Sequence, residues 1–377
     1  MRSAPALLLI LFACESDTVA TEAAGGCPGA ELLVAASDFE SSVACHAPGC
    51  VEDERTTGVD LGNDPMLVGD RGRVFWLSRD RDLVFELDPS CGAPRAKTNL
   101  VEFRTPTARA NPHDVASVDD ATLLVALYNT PKLVFVKNGE VDGDLDLSSF
   151  DEDGNPQAES VRVVPVGGVP KAFVALERLD DRSTPPLQST RPSQMLRIDV
   201  ATRTVEATID LAGRNPFNPM VELGGALFLA EPGRFDADDD EHAGIERFDT
   251  ATSTTKLLAA ERALGGSVSE IAVRPGCGVA IAAGPQPGVN PTAIVTFDPD
   301  TGAVLRSYAS PVLGPTPGYD LQGLTWHGST LWVGDRRAVQ NQFLVHELAL
   351  TGACELTETG RSLSLPRAPV AFLPAKP

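Results

Sequence analysis

Short apolar segments recur along the whole chain and are separated by polar, turn-forming stretches. The distance between their central residues ranges from 42 residues, between Leu33 and Phe75, to 54 residues, between Val174 and Phe228. Continuous apolar runs this short, bounded by turn residues, indicate buried β-strands rather than helices. The seven segments are Leu32–Ala36, Val74–Leu77, Leu123–Leu127, Phe173–Leu176, Leu227–Ala230, Val279–Ala283 and Leu331–Val333.

Each apolar segment is flanked by further segments with a strand pattern. A segment of alternating apolar residues follows it and usually ends in a turn signal, as in Val84–Pro89 and Ile294–Gly302. Another short strand precedes it, as in His113–Val118 and Leu321–Trp326. The 33 glycines and 30 prolines would interrupt long helices. We therefore predict units of four short strands, called A to D in chain order.

Seven four-stranded antiparallel units of about 50 residues predict an all-β fold, the seven-bladed β-propeller. A two-sheet sandwich needs far fewer strands. The first unit begins at a B strand, Leu32–Ala36, and the chain ends with an unassigned A-type strand, Pro369–Leu373. If these two segments pair, the C-terminal strand completes the N-terminal blade and removes an open sheet edge. The alternative is a C-terminal tail unrelated to the blades.

Two motifs carry a resemblance to a known group of propellers. Asp298–Gly302 reads Asp-Pro-Asp-Thr-Gly after a hydrophobic strand, and Asn111–Ala116 reads Asn-Pro-His-Asp-Val-Ala. With these motifs the chain resembles the YncE-like, YVTN-repeat seven-bladed β-propellers over roughly residues 30–373. The resemblance implies the propeller fold. Members of that group have diverse or unknown roles, so it implies no particular reaction.

The N-terminus carries an export signal. Arg2 precedes an apolar run, Ala6–Ala13, that is too short to span a bilayer but suits a secretory signal. The Leu11–Cys14 segment resembles the lipobox of bacterial lipoproteins, which implies that Cys14 receives a lipid and that the residues before it are removed. Ordinary secretion and a buried N-terminal helix are the alternatives.

These observations divide the chain into three parts. Residues 1–14 are predicted to be the lipoprotein signal peptide through the lipidated cysteine, residues 15–26 a flexible tether, and residues 27–377 the β-propeller. The expected location is outside the cytoplasm, with a lipid anchor at the bacterial outer membrane or in the periplasm.

The remaining six cysteines are an even number, which in an oxidising compartment indicates three disulfides. Without a Cys-x-x-Cys pair, a zinc site is excluded. In a propeller, A–B and C–D turns share one face, and one rule can join an A–B turn to the C–D turn of the next blade. The predicted pairs, one of fifteen possible sets, are Cys27–Cys91, Cys277–Cys354 and Cys45–Cys50.

The charge balance restricts the partners. The sequence has 31 Lys and Arg against 52 Asp and Glu, a net charge of −21. This charge repels phosphate backbones and anionic membrane surfaces, so we expect no nucleic-acid partner and membrane contact only through the N-terminal lipid. The acidity has two readings, solubility of an exported monomer or an acidic binding surface.

The opposite propeller face, formed by B–C and D–A connections, has the longer loops, at Leu179–Gln194, Gly233–Ala243 and Gly284–Pro291. Binding sites tend to form where such loops surround a cavity. The polar residues expected to border the channel there, as a pocket for a cation or polyhydroxylated ligand, are His113, Asp114, Asn129, Glu177, Asn218, Glu231, Glu270, Asp320, Gln322 and Asp335. The alternative is that these groups cap strand ends and bind water.

Two acidic segments suggest calcium, without completing a calcium loop. Asp151–Asn155 has oxygen ligands at alternate positions, but Arg162 stands where a bidentate glutamate is needed. Asp236–Glu241 has the charge but no glycine for the sharp turn. No cofactor is therefore predicted, with Ca²⁺ left possible. His113 beside Asp114 could form an oriented imidazole for base catalysis.

The sequence predicts a binding or protein-interaction module whose partner is a protein or a small polar ligand. Gly-x-Ser-x-Gly, Gly-x-x-x-x-Gly-Lys and His-x-x-x-His motifs are all absent. No catalytic residue is assigned. The alternative function is a metal-dependent hydrolase of the lactonase type with a carboxylate site at the channel mouth, a class that usually has six blades. Whether the protein is an enzyme stays open at this point.

Overall fold

Seven antiparallel sheets make up the protein in the computed structural model, which describes residues 29–48, 59–88, 94–184, 186–234, 240–284 and 289–375. We number the sheets as blades 1 to 7 in chain order. The strands of blades 1 to 3 are β1 (Leu32–Ser37), β2 (Ser42–Ala47), β3 (Pro65–Asp70), β4 (Arg73–Ser78), β5 (Leu83–Leu87), β6 (Pro94–Asn99), β7 (Pro112–Ser117), β8 (Thr122–Leu127), β9 (Lys132–Lys137) and β10 (Glu140–Asp146).

Blades 4 to 7 continue in the same A-to-D order. Their strands are β11 (Ala158–Val166), β12 (Val169–Leu176), β13 (Gln194–Asp199), β14 (Thr204–Asp210), β15 (Phe217–Leu223), β16 (Ala226–Glu231), β17 (Gly244–Asp249), β18 (Thr254–Ala260), β19 (Ser267–Arg274), β20 (Cys277–Ala283), β21 (Thr292–Phe297), β22 (Val304–Arg306), β23 (Leu321–His327), β24 (Thr330–Val339), β25 (Gln342–Leu350) and β26 (Leu356–Leu365). The chain then returns to blade 1 with β27 (Pro369–Pro374).

The predicted closure of the ring is confirmed. Strand β27 pairs antiparallel with β1, so that Phe372 lies opposite Val34 and Leu373 opposite Leu33. Blade 1 therefore has the order β2-β1-β27 within the described residues, while each of the other six blades has four strands. The inner strands β27, β3, β7, β11, β15, β19 and β23 each contact the next, and β23 contacts β27 again. The seven-bladed β-propeller predicted from the repeats is thus the observed fold.

The hydrophobic core lies between neighbouring blades rather than at one centre. The B strands are buried on both faces, and every residue of β1 and β16 is buried. Outer strands such as β14 instead alternate between exposed and half-buried positions. Because each B strand packs against two neighbouring sheets, its sequence is a continuous apolar run, whereas a D strand has one solvated face. This explains why the B strands gave the clearest repeat in the sequence.

Helices are short in the described part of the chain. Two single 3-10 turns, Val101–Phe103 and Ser148–Phe150, lie in D–A connections, and one α-helix, Glu261–Leu264, precedes blade 6. That helix ends at Gly265, whose left-handed φ of 82° lets its amide bond to the carbonyl of Glu261. Among the described helices, none has the length and apolar composition needed to cross a membrane.

One predicted disulfide is confirmed, between Cys277 at the start of β20 and Cys354 in the turn between β25 and β26. It joins the A–B side of blade 6 to the C–D turn of blade 7, as the pairing rule requires. Cys45 in β2 is also in a disulfide, with a partner outside the described residues. Cys14, Cys27, Cys50 and Cys91 lie outside the described residues as well, so their predicted lipidation and pairings stay predictions.

Candidate functional site

The inner strands carry irregularities at the end where B–C and D–A connections meet. The pairing of β7 with β8 skips His113, that of β11 with β12 skips Glu159, and that of β19 with β20 skips Ser269. Longer shifts in β15 and β23 leave out Asn218 and Gln322. A β-bulge re-aims a side chain out of the regular pleat. These five residues, here called the bulge belt, stand at matching positions in blades 3 to 7.

Members of the bulge belt bind one another across blade boundaries. Glu159 accepts at one carboxylate oxygen from the amide of Asn218 at 2.9 Å, and its other oxygen lies 2.5 Å from Nδ1 of His113. The side-chain amide of Asn218 donates to the carbonyl of Ser269 at 2.7 Å. The belt therefore links blades 3, 4, 5 and 6 through polar contacts. Glu159 is nearly buried and was not among the residues predicted from the sequence.

Tyr128 supports the imidazole of His113. The two rings stack with centroids 4.2 Å apart and an interplanar angle of 18°. The Tyr128 hydroxyl donates to Glu177 at 2.6 Å. Burial raises the pKa of Tyr128, and Glu177 adds to the increase. Burial also raises the pKa of Glu177 well above its ordinary value, helped by the negative charge of Glu159.

The carboxylate partner of His113 differs from the expected one. Asp114 is the next residue along β7, yet Glu159 from blade 4 holds the imidazole. Both side chains reach the inner strand of blade 4, and the extra residue at the bulge gives them different partners there, Glu159 for His113 and Ser160 to Arg162 for Asp114. The hypothesis of a His113–Asp114 pair was therefore wrong. Because Glu159 occupies Nδ1, Nε2 is the other ring nitrogen, and it makes no hydrogen bond within the described residues.

Asp114 instead clamps blade 3 to blade 4. Its Oδ2 accepts from the Ser160 hydroxyl at 2.6 Å, the Val161 amide at 2.9 Å and the Arg162 guanidinium at 2.7 Å. Its Oδ1 accepts from the amide of Val115. The side chain is fully buried, so all of these partners belong to the protein itself.

We expect Asp114→Asn to lower the free energy of unfolding by about 3 kcal/mol, because it leaves the largely buried Arg162 without its carboxylate. Urea unfolding measures the change. The control Asp119→Asn alters an exposed turn aspartate that accepts two backbone amides, and should stay within about 1 kcal/mol. Equal losses in the two variants would contradict this role of Asp114.

The same kind of clamp recurs in other blades, one residue after the bulge. The Ser160 hydroxyl accepts from the amide of Met220 at 2.9 Å. Glu270 accepts from the amides of Gly323 at 2.9 Å and Leu324 at 2.7 Å. Burial raises the pKa of Glu270 to about 7, although the two amides favour its charged form. The bulges free backbone amides, and these side chains bind them.

The predicted residues of blade 7 are held by cationic or backbone partners. Asp335 accepts from Arg337 at both oxygens and lies 3.0 Å from Nε2 of His346. Although burial opposes ionisation, these contacts hold the pKa of Asp335 well below its usual range. Gln322 accepts from Arg336, and Asp320 accepts from the amide of Gly318 at 2.9 Å.

Two other predicted residues lie in different surroundings. Asn129 accepts a hydrogen bond from the side chain of Asn111 at 3.2 Å. Glu231, the last residue of β16, is fully buried, and neither of its carboxylate oxygens has a hydrogen-bond partner within the described residues. The structure thus brings His113, Glu177 and Asn218 into one network through Glu159 and Tyr128, and leaves Asn129 and the blade 7 residues in separate contacts.

The first acidic segment contacts arginines. Arg191 forms an ion pair with Asp151 and lies 3.6 Å from Asp153, and the guanidinium of Arg178 is 3.5 Å from Asp151. Most of the second segment lies outside the described residues. Across the described ranges, no group of three or more His, Cys, Asp or Glu side chains is arranged to hold a metal ion.

Exposed large apolar side chains concentrate on the belt's face. Of the eight in the described residues, six lie in B–C or D–A connections or at the tip of a B–C hairpin: Phe39, Val101, Leu187, Val289, Tyr319 and Val339. The opposite face has one, Val169 at the start of β12, and the eighth, Leu305, lies in an outer strand. Phe39 and Leu187 also have left-handed backbones, with φ of 64° and 63°. Such a conformation is uncommon for bulky residues.

Comparisons with known proteins support the fold and nothing narrower. No protein-family model and no curated protein matches the sequence. Among solved structures, the WD40 repeats of RRP9 have a TM-score of 0.51 at 9% identity, covering 78% of this chain and 77% of that chain. Kuenenia stuttgartiensis hydrazine synthase has a TM-score of 0.49 at 12% identity, covering 74% of this chain and 73% of that chain. Dihydro-heme d1 dehydrogenase NirN in complex with DHE has a TM-score of 0.49 at 14% identity, covering 91% of this chain and 75% of that chain. At these identities the likeness to RRP9 is one of fold, and the chain is a seven-bladed β-propeller.

Proposed function

We propose that this protein is an extracytoplasmic, lipid-anchored binding module that takes a protein partner on the face carrying the bulge belt. The observation that carries the proposal is the concentration of exposed apolar side chains on that face. Large apolar side chains exposed together on one face are more typical of an interaction surface than of a fully solvated one. The N-terminal sequence pattern supports export and lipidation at Cys14, and the Cys277–Cys354 disulfide is compatible with an oxidising compartment.

The bulge belt would give the interface its polar specificity. The carboxylate of Glu159 favours the His113 tautomer with the proton on Nδ1, so that Nε2 can accept a hydrogen bond. The side chain of His113 is 13% exposed, and stacking on Tyr128 fixes its plane. A hydroxyl or ammonium group of the partner is the donor that such an acceptor fits. This chemistry agrees with the sequence-based proposal of a cationic or polyhydroxylated ligand.

The test compares the two faces of the propeller. Cells expressing the full-length protein are treated with a chemical crosslinker, and partners recovered with Phe39→Ser/Val339→Ser are quantified against wild type. We expect these changes to reduce recovery of the specific partner by about tenfold or more, because apolar anchors dominate interface energetics. The matched control, Val169→Ser, changes a comparably exposed residue of the opposite face, at 48% against 52% for Phe39.

Each outcome bears on the proposal. Loss of the partner with Val169→Ser, or full retention with Phe39→Ser/Val339→Ser, would place the interface elsewhere. Membrane anchoring is tested separately with Cys14→Ser. The wild-type protein should enter the detergent phase on partitioning and the variant should stay in the aqueous phase. If the wild type also stays in the aqueous phase, the protein carries no lipid and the anchoring part of the proposal fails.

A further inference from the structure

Two buried glutamates in blade 5 meet beside the chain that arrives from blade 4. Glu231 ends β16 and Glu246 lies on β17, where the pairing of Leu229 with Glu246 puts both glutamates on one side of the sheet. Both are 0% exposed. Gly213 touches the two of them, since its amide donates to Glu246 at 2.5 Å and a Cβ there would be 2.7 Å from Glu231 Cγ.

Among the described residues, the groups that act on this pair include no positive charge. In the described residues, neither carboxylate oxygen of Glu231 has a hydrogen-bond partner. Of the two oxygens of Glu246, only Oε2 has one. The charged groups that act on Glu231 are Glu246 and Glu177, both acidic. A buried carboxylate without donors or a counter-ion is costly, and two adjacent ones repel each other.

Four ionisable side chains of the adjoining segments are engaged elsewhere, and Arg214, next to Gly213, is not among the groups that act on either glutamate. His242 contacts the carbonyl of Ala212 through Nδ1 at 3.2 Å and Glu241 through Nε2 at 3.7 Å. Asp240 binds backbone amides of Arg234 and His242, and Glu261 accepts from the amide of Asp240 at 3.3 Å. Arg178 on the blade 4 side lies against Asp151. In the described residues, the remaining way to neutralise the pair is to protonate it.

We propose that Glu231 and Glu246 form a proton-loaded carboxyl pair that makes the packing of blade 5 against blade 4 sensitive to pH. Burial raises the pKa of Glu246 to about 7, against the effect of the Gly213 and Ala212 amides. Burial also raises the pKa of Glu231 well above its ordinary value, with further increases from Glu246 and Glu177. The two groups titrate as a pair.

The direction of the pH effect follows from proton linkage. A glutamate in the unfolded chain has a pKa of 4.5. Below that pH the pair is protonated in both the folded and the unfolded state, so its contribution to the free energy of unfolding does not change with pH. Between 4.5 and about 7 the folded state holds more protons, so stability falls as the pH rises. Glu231 extends this loss to higher pH. The repulsion between the ionised glutamates would act next to Glu177, which binds Tyr128, the residue that stacks on His113 of the bulge belt. The packing under the proposed binding face would therefore weaken as the pH rises.

The test measures urea unfolding of the full chain from about pH 5 to about pH 8 for wild type, Glu231→Gln and the exposed control Glu222→Gln. Each extra proton held by the folded state raises the unfolding equilibrium constant about tenfold per pH unit. We expect Glu231→Gln to reduce the pH dependence of the unfolding equilibrium constant by about tenfold per pH unit, the effect of one proton. Glu222→Gln should leave this pH dependence unchanged. Glu270 is present in all three proteins, so its titration cancels in the comparison.

A second measurement covers the case in which the variant fails to fold. The infrared band of protonated carboxyl groups is compared between folded wild type and Glu246→Gln, which both keep Glu177 and Glu270. Wild type should show the stronger band near neutral pH, and the excess should disappear as the pH rises. Equal slopes in wild type and Glu231→Gln, or equal bands in wild type and Glu246→Gln near pH 7, would overturn the proposal. A slope abolished by adding Ca²⁺ or Mg²⁺ would also overturn it, since the pair would then be neutralised by a bound metal ion.

Discussion

Deleting residues 369–377 is expected to abolish the cooperative unfolding transition of the propeller. Strand β27 is the inner strand of blade 1 and contacts both β3 and β23, so its loss opens the ring on both sides. It also leaves the edge of β1, all of whose residues are buried, without a partner. An unpaired apolar edge strand promotes aggregation. Circular dichroism and analytical ultracentrifugation of the truncated protein would show the loss of the transition and the association of chains.

A single substitution tests the same closure while strand β27 is retained. Phe372 is 3% exposed and fills the space above two residues without side chains, since a Cβ on Gly323 would lie 2.6 Å and one on Gly334 3.0 Å from its ring. We expect Phe372→Ala to lower the free energy of unfolding by about 4 kcal/mol through lost burial and the cavity that remains. Val169→Ala, at an exposed position, should change it by no more than about 0.5 kcal/mol. A truncated chain that unfolds like the wild type would contradict this account of closure.

Replacing both Cys277 and Cys354 by alanine is expected to lower the free energy of unfolding by about 4.5 kcal/mol. The main reason is that the unfolded chain gains conformational entropy when the bond no longer closes a loop. The bond closes a loop between residues 77 apart in sequence and ties blade 6 to blade 7, next to the blade that holds β27. Both cysteines are also buried in one apolar cluster, which adds a smaller packing loss.

Urea unfolding of the double variant under oxidising conditions measures this effect. Alanine replacement is more selective than a reducing agent, because Cys45 is disulfide-bonded as well. As a control, reducing agent should destabilise the wild type by at least as much as the double substitution does. A loss below about 1 kcal/mol in the variant would show that the unfolded chain gains little freedom without this bond.

The blades could be predicted because their physics is local and repeated. The run Leu123–Leu127 lies within β8, and Leu227–Ala230 lies within β16, since a strand covered on both faces must be apolar throughout. The same logic identified the C-terminal strand, which the structure extends by one residue to Pro374. The blade assignment of Cys277 and Cys354 then sufficed to pair them.

The candidate site was predicted only in part. His113 and Asn218 were predicted among the polar residues that border the channel, but Glu159, which binds both, was missed. Its signal was its place in the repeat, 46 residues after His113 and likewise one residue before a side chain that clamps the next blade. Asp114 and Glu270 have the polar character of ligand-binding residues, yet both bind the next blade. Asp114 accepts from Ser160, Val161 and Arg162, and Glu270 accepts from two backbone amides of blade 7.

The sequence by itself determined the number of blades, the order of their strands, the strand that closes the ring and one disulfide, because these depend on which residues must be buried and on distance along the chain. Only the tertiary structure decided that His113 bonds to Glu159 and that Glu231 has no hydrogen-bond donor among the described residues. Both depend on bulges and on contacts between blades, where a shift of one residue changes the direction and the partner of a polar side chain.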